Sequence, residues 1–275
     1  MDRFAISAAN LLAGNAENTG GLECTVRAPR LRALCDCTVA VAGAAFEVLV
    51  DGRPHAAWES VAVRAGSELS LTRIAGGRAY IAVAGGFAAD RWLGSVGTYL
   101  LAGKGGLRGR ALRAGDILQS GSDEPPQPPR RQLPEDKRPR YSASPELMTV
   151  AGPHDSRLSQ TSRRALFKEP FTLLPESDRM GFRLTGPELE TKAGELLSFG
   201  TAFGCVQLTP AGPIVLMADH QTSGGYPVAG CVARSALPLA AQLVPGDSVR
   251  FVETKVEQAQ RDWTRLRDGL DALRA

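Results

Sequence analysis

Short apolar runs bounded by glycine recur through the first half of this chain, and they restrict it to a small set of folds. Runs of β-branched or alternating apolar residues occupy residues 22–26, 38–42, 45–50, 60–63, 69–71 and 79–83. Glycine-containing breaks separate them, at Gly43, Asp51-Gly52, Gly66, Gly76-Gly77 and Gly85-Gly86. No helical pattern lies between the runs, which argues against alternating strands and helices and favours a barrel or sandwich. Asp51-Gly52 also predicts a hairpin turn.

The second half repeats this strand pattern. Apolar runs at residues 147–150, 171–174, 204–208, 214–218 and 249–251 predict further strands. A turn of the form x-Gly-Asp precedes an apolar stretch at residues 113–118 and again at 244–251, and residues 64–69 have a related form. This recurrence predicts two similarly built β domains.

A proline-rich, charged segment at residues 121–144 separates the two halves. Proline has no amide hydrogen to donate to a sheet, so we predict a linker or exposed loop that enters no sheet and no core. The predicted domains are therefore residues 1–120 and 145–253, followed by a C-terminal helix at 254–275.

Three helices are predicted. Asp2 is a candidate cap for a helix that ends near Gly14, and Asp155 or Ser156 is a candidate cap for one that runs to about Phe167. The C-terminal helix carries an apolar stripe that needs cover from its own barrel or from another subunit. The stripe consists of Val256, Ala259, Trp263, Leu266, Leu270 and Leu273.

Composition argues against several classes of protein. A net charge of +3 and an aromatic content of 6% provide no basic surface or stacking platform for nucleic acid. No apolar run approaches the ~18 residues of a membrane span, and the N-terminus lacks a secretory leader, so we expect a cytoplasmic protein. The five cysteines lack the paired spacing of a metal site, and the two thiols of Cys35-Asp36-Cys37 are expected to be buried apolar side chains rather than ligands.

Polar side chains crowd the end of one predicted buried strand. The apolar run at residues 214–218 leads directly into Asp219, His220, Gln221 and Thr222, and then into Gly224, Gly225 and Tyr226. Polar groups at the mouth of a buried strand need hydrogen-bond partners or a ligand. The segment is therefore either a recognition site or a tight turn whose polar groups satisfy one another.

Three further places carry candidate binding groups. Arg179 and Arg183 flank a glycine and suit a carboxylate or phosphate, although an ion pair from Asp178 to an arginine that holds a turn is an equal alternative. Gln207 is a polar residue in an otherwise apolar strand. The loop with Lys104, Gly105 and Gly106 can be read as an anion site or as a flexible turn. His154 is a candidate acid or base, but loop histidines without such a role are commoner.

Four blocks of the sequence resemble a known family. They are Met1-Asp-Arg-Phe4 and residues 101–112, 177–184 and 218–227. In this order and spacing they resemble the allophanate hydrolase subunit 2 family, also called the biotin-dependent carboxyltransferase family. It includes the C subunit of the bacterial ATP-dependent 5-oxoprolinase and part of the carboxyltransferase region of urea carboxylase. The resemblance implies a mainly β chain with two cyclophilin-like β-barrel domains, a few short helices and a C-terminal helix.

The resemblance also implies activities and partners. The first is membership of a complex that uses ATP, with Mg²⁺, to open 5-oxoproline to glutamate. An alternative is carboxyl transfer from biotin to urea or a related amide, and another is a non-catalytic regulatory subunit. The implied partners are a smaller cyclophilin-like subunit, of the type of the 5-oxoprolinase B subunit or allophanate hydrolase subunit 1, and a lactam-utilisation type A subunit.

The resemblance assigns site roles to residues already singled out. The catalytic group is expected to be Asp219, as base or orienting carboxylate, with Arg179, Gln221 and Tyr226. The substrate- and anion-binding group is expected to be Asp2, Arg3, Lys104, Gly105, Gly106, Asp178, Arg183, Gln207, Thr222, Gly224 and Gly225. Family members usually have some thirty residues before the Met-Asp-Arg block, so we expect the first barrel to be truncated. Val96 and Val228 stand where the family often has cations, which favours the regulatory alternative.

Overall fold

The computed structural model describes residues 1–25, 29–44, 46–73, 77–123, 125, 127, 130–192, 194 and 196–274. It is mainly β, with a closed seven-stranded barrel and a C-terminal helix, which confirms the predicted fold class. The chain divides into two compact units. The sheet unit contains Arg3–Arg138 and Gly269–Ala275, and the barrel unit contains Met1–Asp2 and Pro139–Asp268.

The sheet unit begins with the predicted helix, α1 (Arg3–Leu12), and continues through eight strands. These are β1 (Leu22–Cys24), β2 (Arg30–Arg32), β3 (Cys37–Gly43), β4 (Phe46–Val50), β5 (Arg53–His55), β6 (Ser60–Val63), β7 (Glu68–Arg73) and β8 (Ala79–Val83). They form two four-stranded antiparallel sheets, in the orders β1-β8-β3-β6 and β2-β7-β4-β5. Val26, Ala45 and Gly76, which belong to predicted strands or breaks, lie outside the described residues.

Packing and turn chemistry explain why these runs form sheets. The inward side chains of both sheets, among them Val41, Val48, Leu71 and Ile81, form one buried apolar cluster. The predicted hairpin turn joins β4 to β5, and both of its residues have positive φ, 50° at Asp51 and 74° at Gly52. Such a two-residue turn matches the twist of the strands that it connects.

One stretch of residues 121–144 departs from the prediction. Gln132 forms a β-bridge with Glu59, the Ser60 amide donates to Arg131 O at 2.9 Å, and Leu133 is fully buried. The expectation that no part of this segment enters a sheet or core is wrong here, because residues 131–133 lie between prolines and keep their own amide hydrogens. Glu124, Pro126, Pro128 and Pro129 lie outside the described residues.

Residues 87–120, which we call the arm, leave the sheets without forming a named helix or strand. Isolated bridges close the arm on itself, between Phe87 and Ser120 and between Asp90 and Gly106. The Trp92 and Tyr99 rings stack at 5.5 Å. Several of its large apolar side chains are exposed, namely Trp92, Leu93, Leu100, Leu101, Leu112 and Ile117. A run of exposed apolar residues is typical of an interaction surface.

In the described part of the chain, nine further strands and three further α-helices belong to the barrel unit, except for the end of the last helix, which belongs to the sheet unit. In chain order they are β9 (Glu146–Ala151), α2 (Gln160–Lys168), β10 (Pro170–Leu173), β11 (Gly181–Thr185), β12 (Phe199–Gly200), β13 (Cys205–Thr209), β14 (Gly212–Leu216), β15 (Ser223–Gly224), β16 (Val228–Val232), α3 (Leu237–Ala241), β17 (Ser248–Thr254) and α4 (Val256–Asp271). Seven strands close the barrel in the order β10-β11-β14-β13-β16-β9-β17. The pairs are antiparallel except β17 with β9, which is parallel. Phe171, Phe182, Val206 and Phe251 are among the side chains that fill its interior.

The second helix starts later than predicted. Asp155–Arg157 forms a separate 3-10 turn, Leu158 is extended, and α2 begins at Gln160. Its cap is Ser159, whose hydroxyl accepts from the Ser162 amide at 3.1 Å. Asp155 is not the cap, because its carboxylate binds the Arg163 guanidinium at 2.8 Å.

The stripe on α4 is covered unevenly. Leu270 is buried, and Leu273, just past the end of the helix, is also buried, whereas Val256 is half exposed. The Arg234 guanidinium lies 4.2 Å from the Trp263 ring centroid and covers that part of the stripe. None of the helices in the described part of the chain has the length and apolarity that a membrane crossing needs.

Candidate functional site

Arg179 and Asp219 meet where β11 begins and β14 has just ended. Arg179 Nε donates to Asp219 Oδ2 at 2.8 Å, and Arg179 Nη2 donates to Oδ1 at 3.1 Å. The Asp219 amide donates in turn to Arg179 O at 2.8 Å, because pairing of β11 with β14 brings the two segments side by side. This is a two-point ion pair with both partners partly exposed.

The neighbouring Asp178 and Arg183 lie apart from this pair. Asp178 Oδ1 accepts from the amides of Met180 and Gly181, at 2.8 and 3.2 Å, and so stabilises the turn before β11. The alternative in which Asp178 forms an ion pair with an arginine is therefore wrong, because its carboxylate accepts hydrogen bonds from local amides instead. Arg183 points outward from β11 between the inward Phe182 and Leu184. Its guanidinium has no hydrogen bond or ion pair with the residues that the structure describes, so it is available to bind an anion.

β12 and β15, which β13 and β14 separate in the chain, form a short two-stranded ribbon that packs on the outer face of the barrel. Phe199 pairs with Gly224 and Gly200 pairs with Ser223. On β13, Val206 and Leu208 point into the barrel, whereas Cys205 joins a second buried cluster outside it. This outer cluster contains Cys205, Leu216 and Val228, with Phe199, Ile214 and Cys231 packed against it.

Gln207 lies beneath this ribbon and carries a buried polar atom without a partner among the described residues. Gln207 is buried, with only 2% of its surface exposed. Gln207 Oε1 accepts from Gln221 Nε2 at 3.1 Å, but Nε2 has no hydrogen-bond partner in the part of the chain that the structure describes. A Cβ atom on Gly224 would stand 2.9 Å from this Nε2, so a larger residue at position 224 would press on the donor. A buried donor without a partner is costly and indicates a place for an acceptor.

Thr201 and His220 fix the loop that presents Gln221. The Thr201 hydroxyl donates to Gln221 O, and His220 Nδ1 lies 2.6 Å from the same oxygen. The Thr201 amide donates to Thr222 O at 3.0 Å. Sequence analysis missed Thr201, because nothing in its own neighbourhood indicates contact with a loop twenty residues later.

His154 also belongs to this region. Its Nδ1 accepts from the Val228 amide at 3.2 Å, and its ring centroid lies 4.7 Å from that of Phe199. His154 is thus held at the edge of the ribbon by these two contacts. Val228 itself is 2% exposed in the outer cluster, where an apolar side chain packs well.

The other predicted residues of the barrel unit have varied surroundings. Tyr226, two residues after the end of β15, is 49% exposed. A Cβ on Gly225 would make only ordinary contacts, the nearest at 3.6 Å to Leu196 O. Asp2 is fully buried, and its Oδ2 accepts from Tyr141 Oη at 2.7 Å and from Gln242 Nε2 at 2.8 Å. Such full engagement suits a structural carboxylate.

The remaining predicted residues belong to the sheet unit. Arg3 starts α1 and is exposed. In the arm, the Lys104 amide donates to Tyr99 O and the Gly106 amide donates to Val96 O, both at 3.2 Å. A Cβ on Gly105 would stand 2.3 Å from Gly97 O. These glycines serve the packing of the arm itself, and the Gly106 amide is already used within it.

Neither a metal centre nor the sheet-unit cavity adds to the predicted site. Among the described residues, no three His, Cys, Asp or Glu side chains are grouped as a metal would require. A cavity of about 320 Å³ in the sheet unit is lined by His55, Glu59 and Arg130, among others, and includes none of the predicted site residues. The groups that we select for chemistry are therefore the Arg179–Asp219 pair beside the start of β11 and, on β13, the Gln207 Nε2 atom, which has no partner among the described residues.

Comparison with known proteins identifies relatives of the whole chain. The family model described as "Carboxyltransferase domain, subdomain A and B" matches residues 1–253. The C subunit of the Haemophilus influenzae 5-oxoprolinase is 35% identical over 277 residues, which cover 100% of this chain and 88% of that protein. The urea amidolyase of Saccharomyces cerevisiae is 28% identical over 278 residues, which cover 94% of this chain but only 15% of that protein.

A solved structure shows the same fold. The crystal structure of the Kluyveromyces lactis urea carboxylase matches with a TM-score of 0.94 at 24% identity, over 99% of this chain and 26% of that chain. The sequence match over residues 1–253 and the relative from Haemophilus influenzae lead to one conclusion. The chain belongs to the carboxyltransferase domain family, subdomains A and B.

Proposed function

We propose that this chain is one component of an ATP-dependent amide-processing complex of the 5-oxoprolinase type. The reaction is 5-oxoproline plus ATP and two waters, giving glutamate, ADP and phosphate. Support comes from the relative named as the C subunit of a 5-oxoprolinase, which aligns with the whole chain. The observation that carries the proposal is the Gln207 Nε2, a buried donor without a partner among the described residues, which suits the carbonyl oxygen of an amide.

The described residues suggest a division of work. Gln207 Nε2 donates to the amide oxygen, and Gln221 holds Gln207 through its Oε1. Arg179 stabilises negative charge that develops on that oxygen, and Asp219 fixes the guanidinium by two hydrogen bonds. Because both Asp219 oxygens bind Arg179, the orienting role suits Asp219 better than that of a general base. Arg183 and Tyr226 are exposed and can contact the substrate from outside.

The complex would use ATP, with Mg²⁺, as a co-substrate that activates the amide oxygen. The family resemblance carries this expectation, and we assign no residue of this chain to the nucleotide. Arg183 is a cation that could meet a phosphate, but the arm lacks a free backbone cradle because its Lys104 and Gly106 amides bond within the arm.

Turnover by the assembled complex tests the proposal directly. The chain is co-expressed with a smaller cyclophilin-like subunit and a lactam-utilisation type subunit, and glutamate release from 5-oxoproline is followed with and without ATP. We expect glutamate only when ATP and all three chains are present. Equal activity of the two partner subunits without this chain would contradict the proposal.

Carboxyl transfer from biotin to a urea-like amide is the second candidate, because the matching family model is described as a carboxyltransferase. A ureido oxygen is also an acceptor that fits Gln207 Nε2. Biotin would carry the carboxyl group, and Gln207 would position the acceptor amide. Avidin distinguishes the two reactions, since it blocks a biotin-dependent transfer and leaves 5-oxoproline hydrolysis unchanged.

Replacing Gln207 by methionine should separate stability from function. Methionine is similar in length and removes the unpartnered donor, but it also removes the Oε1 acceptor of the Gln221 amide, so the free energy of unfolding should change by less than about 1 kcal/mol. Turnover should fall at the same time, because the amide oxygen loses its donor. Chemical denaturation and the glutamate assay measure the two effects.

Gln242 is a matched control for this substitution. It is also buried, but its Nε2 donates to Asp2 Oδ2 at 2.8 Å. Gln242→Met should therefore lower the free energy of unfolding, by about 1–3 kcal/mol. Equal destabilisation by both variants would mean that Gln207 is satisfied in the folded protein, contrary to the proposal.

The proposed partner of the arm is the smaller cyclophilin-like subunit. The relative from Haemophilus influenzae is named as one subunit among others, and the arm exposes apolar side chains such as Leu93 and Leu101. Changing both leucines to aspartate should weaken association with the small subunit by more than about tenfold, because desolvated apolar contacts are lost. Pull-down and calorimetry with the purified small subunit measure this, with Leu197→Asp, an exposed leucine of the barrel unit, as the control. Unchanged binding would exclude the arm as the docking surface.

A further inference from the structure

Two cysteines face each other across adjacent strands of the barrel. Cys205 on β13 is directly opposite Cys231 on β16, and their Sγ atoms are 3.5 Å apart. At the next position, the Val232 amide donates to Gly204 O at 2.8 Å, so the cysteines occupy a pair that does not exchange backbone hydrogen bonds. In such pairs the Cα atoms are about 4.5 Å apart and the side chains are closest. A disulfide spans Cα separations of about 4.4–6.8 Å, so these strands already hold the required geometry.

The surroundings of the pair allow chemistry at one sulfur and protect the other. Cys205 is 6% exposed, whereas Cys231 is partly exposed at the edge of the outer cluster. The hydrogen bond with the Cys231 sulfur lowers the pKa of Cys205 to about 6. The neighbouring Cys205 and burial raise the pKa of Cys231. The hydrogen bond between the two sulfurs therefore favours a thiolate within the pair.

The other cysteines differ from this pair. Cys24, Cys35 and Cys37 belong to the sheet unit. Burial raises the pKa of Cys24 to about 12, which makes it a poor nucleophile. Cys35 lies in the bend before β3 and Cys37 is the first residue of that strand, and the described structure shows no contact between their sulfurs.

We propose that Cys205 and Cys231 form a redox-active dithiol that low-molecular-weight disulfides such as oxidised glutathione convert to an intramolecular disulfide. In the first exchange, Cys231 Sγ passes its proton to the adjacent Cys205 Sγ and bonds as a thiolate to one sulfur of the oxidant, and the other sulfur leaves as a thiolate. Cys205 Sγ then attacks Cys231 Sγ and releases the second thiolate. The two protons of the cysteines pass to the two leaving thiolates. One small disulfide is reduced to two thiols, and the protein pair is oxidised.

Mass spectrometry of the folded chain tests this proposal. After treatment with oxidised glutathione, the chain should lose two hydrogen atoms and two free thiols. Digestion without reduction should give a linked peptide that joins Cys205 to Cys231. Dithiothreitol should reverse both changes. A Cys35→Ser/Cys37→Ser double variant should behave in the same way, which separates the barrel pair from the sheet-unit cysteines.

Single variants show whether the second sulfur resolves the first. Cys205→Ser should accumulate a stable mixed disulfide with glutathione on Cys231, because no neighbouring thiol remains to displace it. If serine in the outer cluster prevents folding, Cys205→Ala provides the same chemical test in an apolar form. The proposal is overturned if the wild-type chain keeps a mixed disulfide at Cys231. It is also overturned if Cys205 and Cys231 become linked only after the chain is unfolded in urea.

Discussion

Replacing Asp219 by asparagine should reduce ATP-dependent glutamate formation by the assembled complex by about 100-fold or more. Asparagine has the same shape but only one oxygen and no charge, so it cannot hold Arg179 by two charge-assisted hydrogen bonds. The guanidinium would lose both its orientation and its counter-charge. Steady-state kinetics should show the loss mainly in kcat, because the charge on the amide oxygen develops in the transition state.

Asp247→Asn is the control for this substitution. Asp247 is in the same unit, and its Oδ2 accepts from the Val244 amide at 2.8 Å, a contact that asparagine can keep. Its turnover should match that of the wild type. Near-normal turnover of Asp219→Asn would remove this carboxylate from the mechanism.

A double substitution separates the two roles considered for Asp219. If the carboxylate acts only by orienting Arg179, then Arg179→Lys should cost about as much as Asp219→Asn, and the double variant should cost little more. If Asp219 were also the general base, the double variant would lose activity well beyond either single one. Thermal unfolding of all three variants checks that lost activity is not lost folding.

Replacing Gly224 by alanine should be the second most damaging single change, with a loss of about 100-fold in kcat/KM. The added Cβ would stand 2.9 Å from Gln207 Nε2 and 3.5 Å from Gln221 Nε2. The flexible amide ends would move away, so the fold should survive while the donor is misplaced. The thermal unfolding midpoint should therefore change little.

Gly200→Ala tests whether this effect is specific. Gly200 is on the other strand of the same ribbon, opposite Ser223, and a Cβ there would contact no heavy atom within 4 Å. Alanine at position 200 should leave kcat/KM unchanged. If both alanines reduce activity equally, activity depends on the ribbon as a whole and not on the contact between residue 224 and Gln207.

Much of the β structure could be predicted because its strands are bounded by strong local signals. Asp51-Gly52 adopts the predicted turn, and the x-Gly-Asp turns at Gly115 and Gly246 share a positive φ, 88° and 93°. In each, the aspartate caps its own turn: Asp116 accepts from the Arg113 amide, and Asp247 accepts from the Val244 amide. Short-range chemistry of this kind is visible in a single sequence.

The candidate site was harder to predict because long-range pairing assembles it. The ribbon of β12 and β15 has only two residues in each strand, which is too few for any periodic signal in the sequence. The partner of Arg179 is forty residues away, whereas the local alternative, Asp178, is adjacent and bonds to backbone amides instead. The contact of Cys205 with Cys231 depends on strand register, which sequence spacing alone does not define.

Both compact units are discontinuous in sequence, and this bears on how the chain is synthesised. In the sheet unit, Leu270 and Leu273 are buried, Arg131 Nη1 donates to Leu273 O at 2.6 Å, and Gly269 packs against Lys137. Residues that leave the ribosome after all the barrel strands therefore complete the unit that was translated before them. Residues 3–138 must wait as an unfinished fold through the whole synthesis of the barrel. During this interval nascent-chain chaperones would have their longest access to the protein.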